Sequence, residues 1–489
     1  MKPSTDNLSI VVVGASGDLA RKKIFPAFFA LYCQGFLPPA FNLFGFARTP
    51  FTHDQFRDRI RENLTCRYVP NQSCGDRMNE FLGRCSYVQG EYASRDSFLD
   101  LYEVMQRTEG RHDADRLFYL AVPPATFVDV ARSVADAGFV RCGSPGPWSR
   151  VVVEKPFGED RGTSDRLAIE LAKVFAEDQT YRIDHYLGKE VVQNLMVLRF
   201  ANLIFEPIWN ARFVSDVQIT WKEDIGVEER GGYFDRYGII RDVMQNHLTQ
   251  ILALIAMEPP SRLDAHCVRD EKVKILKAVA PLSLEDLVIG QYAGGTRGGR
   301  RCPAYGEETG VRPGSRTPTY AAAAFRIDHP RWSNVPFLIR AGKGLDERKT
   351  EIRIRFREVP ANLFCEMGGC PAANELTIRV QPDEAIHFTI LNKVPGLELK
   401  LERRDLDLHY RRVFSETIPD AYESLLLDVI TGDKSLFIRE DELAAAWDIF
   451  TPVLHEIERR AIRPEPYAFF SRGPASADDL ASRRHVRWA

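Results

Sequence analysis

The feature that most constrains the fold is the alternation of short apolar runs with helical patterns over residues 9–184. The runs read SIVVVGA from residue 9, LFGFA from 43, RLFYLAV from 116 and RVVVEKP from 150. Such alternation indicates βαβ units and a parallel sheet. Strands that are apolar almost throughout are expected where helices cover both faces of the sheet. We therefore predict an α/β domain over residues 1–184.

The later part of the chain shows a different pattern. Apolar and charged residues alternate strictly in segments such as IRIRFR at 352–357. A period of two with one polar face is typical of antiparallel sheets. The sequence therefore predicts a second domain of the α+β class over residues 185–489, with a large and mainly antiparallel sheet.

Composition excludes several classes of protein. The 65 basic and 68 acidic residues are interspersed and give a formal charge of -3, so no basic stripe indicates a nucleic acid or an anionic membrane as partner. The nine cysteines form neither a CxxC pair nor the dense spacing of a secreted disulfide scaffold. We therefore expect a reducing compartment, with the cytoplasm as the default location. The sequence offers no ligand cluster with metal-like spacing, so we expect no bound metal.

A glycine turn follows the first apolar run. Glycines let the backbone approach a pyrophosphate, and the dipole of the next helix stabilises its charge. The spacing is G-x-x-G, so a plain structural turn is the alternative. Arg48 ends the second run, where it suits a 2′-phosphate or is simply a solvated arginine. The predicted cofactor-binding residues of the turn are Gly14, Ala15, Ser16, Gly17, Asp18 and Leu19.

The segment Tyr181–Lys189, YRIDHYLGK, gathers hydrogen-bond donors. We expect a strand that passes into a helix, with His185 and Lys189 four residues apart on one face and Tyr186 beside them. Such a cluster at a helix start could hold a dianionic phosphate. The alternative is an ordinary polar helix face with Asp184 as its N-cap.

Two further polar residues occupy places where ligands collect. Lys155 follows the fourth apolar run, at the strand end where ligands of open α/β sheets gather, although it could equally be a surface lysine. His247 lies at the edge of the apolar face of a predicted helix, where it could be a core histidine or a base.

Four ordered motifs together resemble the glucose-6-phosphate dehydrogenase family. They are GASGDLA at 14–20, EKPFG at 154–158, RIDHYLGKE at 182–190 and RDVMQNHL at 241–248. The resemblance implies a Rossmann-like NADP-binding domain followed by an α+β domain for substrate binding and oligomerisation. It also implies oxidation of β-D-glucose 6-phosphate to 6-phosphoglucono-δ-lactone with hydride transfer to NADP, the first step of the oxidative pentose phosphate pathway.

The resemblance assigns roles to individual residues. His247 would be the general base, which suits an imidazole whose ordinary pKa is about 6.5, and Asp184 its orienting carboxylate. On an α-helix, Asp242 and His247 would be about 140° apart and would flank the sugar. The residues implied around the sugar, its phosphate and the nicotinamide are Lys155, His185, Tyr186, Lys189, Glu223, Asp242, Lys343, Arg348 and Gln381.

Members of this family associate into homodimers or homotetramers. Some members also bind a second, structural NADP. The matching positions are Arg340, Lys349, Arg353, Arg379 and Arg472. Where those members carry a tyrosine and a lysine after the RVQP segment, this chain has His387 and Thr389. The sequence therefore predicts a weakened structural site.

Two other functions are compatible with parts of the sequence. A sugar or inositol dehydrogenase of the two-domain type would account for the Lys-Pro pair at 155–156 but not for RIDHYLGKE. A non-catalytic NADP-binding regulator would need loss of the base or its partner, and both His247 and Asp184 are present.

Overall fold

The computed structural model describes residues 7–110, 114–139, 147–365 and 370–488. The strands are β1 (Asn7–Val13), β2 (Ala40–Ala47), β3 (Cys85–Gln89), β4 (Asp115–Leu120), β5 (Ser149–Val153), β6 (Thr180–Arg182), β7 (Val214–Lys222), β8 (Leu287–Tyr292), β9 (Gly295–Arg297), β10 (Arg300–Cys302), β11 (Tyr320–Phe325), β12 (Phe337–Gly342), β13 (Lys349–Phe356), β14 (Glu375–Gln381), β15 (Ala385–Lys393), β16 (Leu401–His409) and β17 (Glu465–Tyr467).

The α-helices are α1 (Phe25–Cys33), α2 (His53–Arg61), α3 (Asn71–Gly83), α4 (Arg95–Glu109), α5 (Phe127–Asp136), α6 (Arg161–Ala172), α7 (Glu190–Phe200), α8 (Gly231–Ile239), α9 (Thr249–Ala256), α10 (Ala265–Ala278), α11 (Tyr410–Val413), α12 (Ala421–Thr431), α13 (Glu440–Arg459) and α14 (Ser476–Arg483). Two segments are π-helical, Ala20–Ile24 and Ile240–Leu248. Short 3₁₀ turns occupy Pro124–Thr126, Glu206–Ile208, Glu228–Arg230, Leu284–Asp286, Tyr305–Glu307 and Pro330–Trp332.

The chain forms two compact units that are interleaved along the sequence. The first comprises Met1–Glu190, Arg262–Arg269 and Thr417–Leu443, and the second comprises Val191–Ser261, Asp270–Glu416 and Ala444–Ala489. The division at residue 184 stays a prediction about the domains. Two later segments join the first unit because they pack on it, as α12 does on α1.

The first unit contains a six-stranded sheet in the order β3-β2-β1-β4-β5-β6, and all its neighbouring strands are parallel. This confirms the predicted Rossmann-like sheet. Residues 10–13 of β1 are fully buried, because the strand is covered on both faces. The direction in which successive strands are added to the sheet reverses between β1 and β4. Ligands of open α/β sheets bind at such a switch point.

The second unit contains a nine-stranded sheet in the order β16-β15-β14-β13-β7-β12-β11-β8-β17. The β7/β12 and β8/β17 pairs are parallel and the other neighbours are antiparallel, as predicted. The register aligns buried isoleucines across five strands on one face: Ile339, Ile219, Ile352, Ile378 and Ile386. The alternating pattern at 352–357 therefore separates an apolar from a polar face.

Cysteine pairing differs from the expectation drawn from spacing. Cys66 pairs with Cys74, and Cys365 pairs with Cys370. Cα separations of 5.8 and 3.9 Å bring these thiols together, although their spacing matches no CxxC motif. The location in a reducing compartment stays a prediction. Among the described residues, no helix combines the length and apolarity needed to span a membrane.

Candidate active site

The glycine turn leaves the end of β1 at the switch point of the first sheet. Gly14 has φ +89° and donates its N–H to the Phe46 carbonyl over 2.8 Å. A Cβ at this position would lie 2.3 Å from the Ala121 carbonyl oxygen, so only glycine fits. Gly17 closes the turn by donating to the Gly14 carbonyl over 2.9 Å. The turn can bring its backbone close to a pyrophosphate, as a dinucleotide requires.

The turn does not pass directly into a regular α-helix. A π-helical segment, Ala20–Ile24, precedes α1, and Asp18 bonds to Arg21 over 3.0 Å and Lys22 over 2.8 Å. The bond from Lys22, followed by that from Arg21, lowers the pKa of Asp18 below its ordinary value. Asp18 therefore stays ionised at the start of the helical segment, where a negative charge is favourable.

Arg48 follows β2 and is exposed. Its guanidinium lies 5.2 Å from the centre of the Tyr92 ring. No carboxylate of the described residues forms an ion pair with it. Beside it, the Thr49 hydroxyl donates to the Ser16 hydroxyl of the glycine turn over 3.1 Å. The end of β2 therefore offers a positively charged side chain to an anionic group beside the glycine turn. These residues fit a phosphorylated dinucleotide.

Lys155 comes two residues after the end of β5, beside a buried acid. Glu154 is 8% exposed and accepts hydrogen bonds from the hydroxyls of Tyr119 and Tyr422. Burial raises the pKa of Glu154, and the two tyrosine bonds oppose that rise. Two tyrosine hydroxyls therefore fix the carboxylate of the residue that precedes Lys155.

The segment 183–189 is a turn, so the predicted helix over Tyr186 and Lys189 is wrong. The N–H of Leu187 donates to the Asp184 carbonyl over 3.0 Å, and that of Lys189 donates to the Tyr186 carbonyl over 3.2 Å. Both bonds span three residues, and α7 begins only at Glu190. Asp184 does not cap α7, because its carboxylate accepts the Tyr186 N–H inside the turn, over 2.9 Å.

The turn nevertheless brings the predicted phosphate ligands together. The rings of His185 and Tyr186 are 5.0 Å apart, and the Lys189 ammonium lies 5.0 Å from the Tyr186 ring. The Tyr422 ring stacks on His185 at 6.2 Å with an interplanar angle of 4°. Tyr422 therefore links the His185 imidazole to buried Glu154. The sequence gives no signal for Tyr422, because only tertiary packing brings α12 to this turn.

In the second unit, two predicted residues pair at one end of the large sheet. Parallel strands β7 and β12 end side by side, and Glu223 and Lys343 directly follow them. The Lys343 ammonium donates to the Glu223 carboxylate and lies 5.4 Å from the Trp221 ring. Glu223 and Lys343 therefore form a pair in which each can also bond a polar ligand.

Arg348 and Gln381 lie at the same end of the large sheet. Arg348 is exposed and directly precedes β13, while Gln381 ends β14 opposite Thr350. In the strand register, Lys222 at the end of β7 lies opposite Lys349 at the start of β13, so the end of β7 and the start of β13 lie side by side. The register therefore gathers the four predicted residues of this sheet, although they are far apart in sequence.

Asp242 and His247 lie on the π-helical segment Ile240–Leu248, which packs against β12. They are 8% and 3% exposed, and the Tyr233 hydroxyl donates to the Asp242 carboxylate over 3.4 Å. In a π-helix, hydrogen bonds join residues five apart, so such residues lie about one turn from each other. The 140° separation expected for an α-helix is therefore wrong, and both side chains leave the segment on a similar side.

Both parts of the chain match models of one protein family. Residues 11–194 match the family described as glucose-6-phosphate dehydrogenase, NAD binding domain, and residues 196–489 match its C-terminal domain. The chain belongs to the glucose-6-phosphate dehydrogenase family. It is therefore an oxidoreductase whose first domain binds a nicotinamide dinucleotide.

Individual relatives match nearly the whole of this chain. A chloroplastic glucose-6-phosphate 1-dehydrogenase of Arabidopsis thaliana is 54% identical over 98% of this chain and 83% of its own length. A cytoplasmic form from the same plant is 45% identical over 98% of this chain and 92% of its own length. A solved glucose-6-phosphate dehydrogenase in complex with glucose-6-phosphate is 41% identical, covers both chains fully and has a TM-score of 0.92.

Most cations at the predicted structural-cofactor positions already have acidic partners. Arg353 bonds to Glu351 and Glu375, both over 2.9 Å, and Arg379 lies 3.8 Å from Glu351. Lys349 likewise lies 3.1 Å from the Glu347 carboxylate.

Arg340, another of these cations, is covered by the carboxyl-terminal segment. It is 2% exposed, and its guanidinium lies 4.6 Å from the Trp488 ring. Burial lowers the pKa of Arg340, with Arg472 adding to that effect. A dinucleotide on this face would therefore have to compete with existing ion pairs and with Trp488.

Proposed function

We propose that this enzyme oxidises carbon 1 of β-D-glucose 6-phosphate and transfers the hydride to NADP, giving 6-phosphoglucono-δ-lactone, the first step of the oxidative pentose phosphate pathway. The observation that carries the proposal is the full-length similarity to a solved relative in complex with glucose-6-phosphate. The cluster of His185, Tyr186 and Lys189 supports it, because these side chains offer donors suited to a phosphate.

In this proposal, a nicotinamide dinucleotide held by the glycine turn would supply the hydride acceptor, and residues of the chain bind the sugar phosphate, orient it and take up the proton. His247 removes the proton of the carbon 1 hydroxyl, and Asp184 orients that imidazole. His185, Tyr186 and Lys189 bind the phosphate. The residues that orient the sugar and the nicotinamide are Lys155, Glu223, Asp242, Lys343, Arg348 and Gln381.

The choice of NADP rests on Arg48. An exposed guanidinium without a carboxylate partner among the described residues suits a 2′-phosphate, whereas an acid in that place would suit the ribose hydroxyls of NAD. The glycine turn would hold the pyrophosphate through Gly14, Ala15, Ser16, Gly17, Asp18 and Leu19. A second, structural NADP is part of the proposal, bound more weakly because His387 and Thr389 replace a tyrosine and a lysine.

The test is a spectrophotometric assay of nicotinamide reduction with each pairing of NADP or NAD with glucose 6-phosphate, free glucose or inositol. We expect reduction with NADP and glucose 6-phosphate to exceed the other pairings. Equal rates with glucose and glucose 6-phosphate would contradict the phosphate site. Binding of NADP without turnover of any sugar would favour a regulatory protein instead.

Assembly and location are also proposals. We infer a homodimer or homotetramer, as the resemblance implies, which sedimentation velocity on the purified chain would check. We infer a cytoplasmic location, and the named relatives include chloroplastic as well as cytoplasmic forms. Cell fractionation followed by detection with an antibody against this chain distinguishes a cytoplasmic from a chloroplastic location.

A further inference from the structure

Two histidines and an aspartate form a cluster on the polar face of the large sheet. His387 on β15 is paired in register with Asp407 on β16, and His409 lies two residues further along β16. Alternate residues of a strand share a face, so all three side chains point the same way. One donor atom from each lies within 4.8 Å of the other two, and the imidazole rings are 5.1 Å apart.

One nitrogen of this cluster lacks a hydrogen bond. The Nε2 atom of His387 is buried and has no partner among the described residues. Buried polar atoms normally have one. An imidazole nitrogen without a hydrogen bond can offer its lone pair to a metal ion.

The surrounding charges allow a cation here. The Asp407 carboxylate is already held at 3.0 Å from Nε2 of His409. The positive charge of Arg379 opposes a cation here, but its guanidinium lies 3.8 Å from the Glu351 carboxylate, which offsets that charge. Asp405, two residues before Asp407 on the same face, adds a negative charge and accepts the Thr389 hydroxyl over 2.6 Å.

We propose that His387, Asp407 and His409 form a binding site for a divalent transition metal ion of the Zn²⁺ class. Imidazole and carboxylate donors suit Zn²⁺ and its neighbours in the first transition row. Metal bonds of about 2.0 to 2.2 Å need tetrahedral donors roughly 3.3 to 3.6 Å apart. Donors within 4.8 Å reach that spacing by small side-chain rotations. Water completes the fourth coordination position. The ion would link the edge strand β16 to β15 and so stabilise their pairing.

The test uses the full-length chain after treatment with EDTA and removal of the chelator. Calorimetric titration with Zn²⁺ should show a site whose dissociation constant rises at least tenfold in both His387→Gln and His409→Gln. The matched control is His329→Gln, which changes a partly buried histidine of the same unit and should bind Zn²⁺ as the wild type does. Unchanged metal-free melting of each variant shows that it has folded.

Co²⁺ absorption identifies the donors. Bound Co²⁺ should show d–d absorption bands in the visible range and no thiolate charge-transfer band. The His387→Gln substitution should remove these d–d bands. Zn²⁺ binding that is the same in wild type, His387→Gln and His409→Gln would overturn the proposal. Thiolate charge-transfer bands that survive both substitutions would overturn it too, because the ion would then sit on cysteines.

Discussion

At the scale of single residues, His247 is the side chain on which the proposed chemistry depends. It is 3% exposed on a π-helical segment, so its imidazole is held in place without exposure to bulk water. We expect His247→Asn to lower kcat by about 10² to 10⁴-fold, the usual contribution of a general base, with KM changed little. Initial rates with NADP and glucose 6-phosphate measure this. His329→Asn is the control, and wild-type kcat in His247→Asn would remove the histidine from the mechanism.

Arg48 should decide which dinucleotide is used. Loss of a charge-assisted bond to the 2′-phosphate costs about 1.5 to 3 kcal/mol, or roughly tenfold to a hundredfold in affinity. We expect Arg48→Ala to raise KM for NADP by that factor and to leave KM for NAD nearly unchanged. The matched control is Arg59→Ala, since Arg59 also lies over an aromatic ring, that of Phe51, at 5.1 Å. An unchanged ratio of the two KM values would show that Arg48 is only a solvated residue.

Asp428 on α12 should make stability depend on pH. Burial, followed by the charge of Asp433, raises the pKa of Asp428 to about 7 from an ordinary value of 3.8. The folded chain therefore holds a proton that the unfolded chain releases, so Asp428 costs stability progressively as pH rises from about 4 to 7. We expect Asp428→Asn to raise Tm at pH 8 and to match wild type near pH 4. Exposed Asp129→Asn is the control, and equal Tm values at pH 8 would contradict the assignment.

At the scale of elements, the turn over residues 183–189 determines the positions of the proposed phosphate ligands. Lys189 would contact a phosphate remote from carbon 1, so it stabilises ground and transition states alike. We expect Lys189→Ala to raise KM for glucose 6-phosphate about tenfold or more, with a smaller fall in kcat. Lys173→Ala is the control, because Lys173 is exposed and bonds only to nearby Glu170 among the described residues. A fall in kcat alone would place Lys189 near the reacting atoms instead.

At the scale of the whole molecule, the proposed structural NADP should couple cofactor concentration to global stability. A ligand that binds only the folded state raises Tm with its concentration. The measurement is thermal melting across an NADP titration of a His247→Asn, Arg48→Ala double variant, in which the catalytic cofactor site is weakened. We expect a modest rise, since Arg353 and Arg379 already have acidic partners. A Tm that stays constant up to millimolar NADP would rule out the structural site, and these arginines would then serve only as charged residues on the face of the sheet.

The sequence alone determined the features that depend on local chemistry. The parallel sheet of the first unit follows from strands apolar throughout, and the two faces of the second sheet follow from the alternation at 352–357. The tight turn at Gly14 follows from a residue that can adopt φ +89° without a Cβ. The apolar runs, the strict alternation and the glycine spacing are each visible within a few consecutive residues, which is why pattern and period were sufficient to predict these features.

Only the tertiary structure decided the features that depend on distant partners. The helix expected over 186–189 became a turn in which the Cβ of any residue replacing Gly188 would lie 2.4 Å from the Ala421 carbonyl oxygen. The stacking of Tyr422 on His185 joins segments more than two hundred residues apart. The π-helical geometry at His247 and the cysteine pairs were likewise absent from the sequence pattern. These outcomes depend on packing between elements, and a single sequence does not specify which distant surfaces will meet.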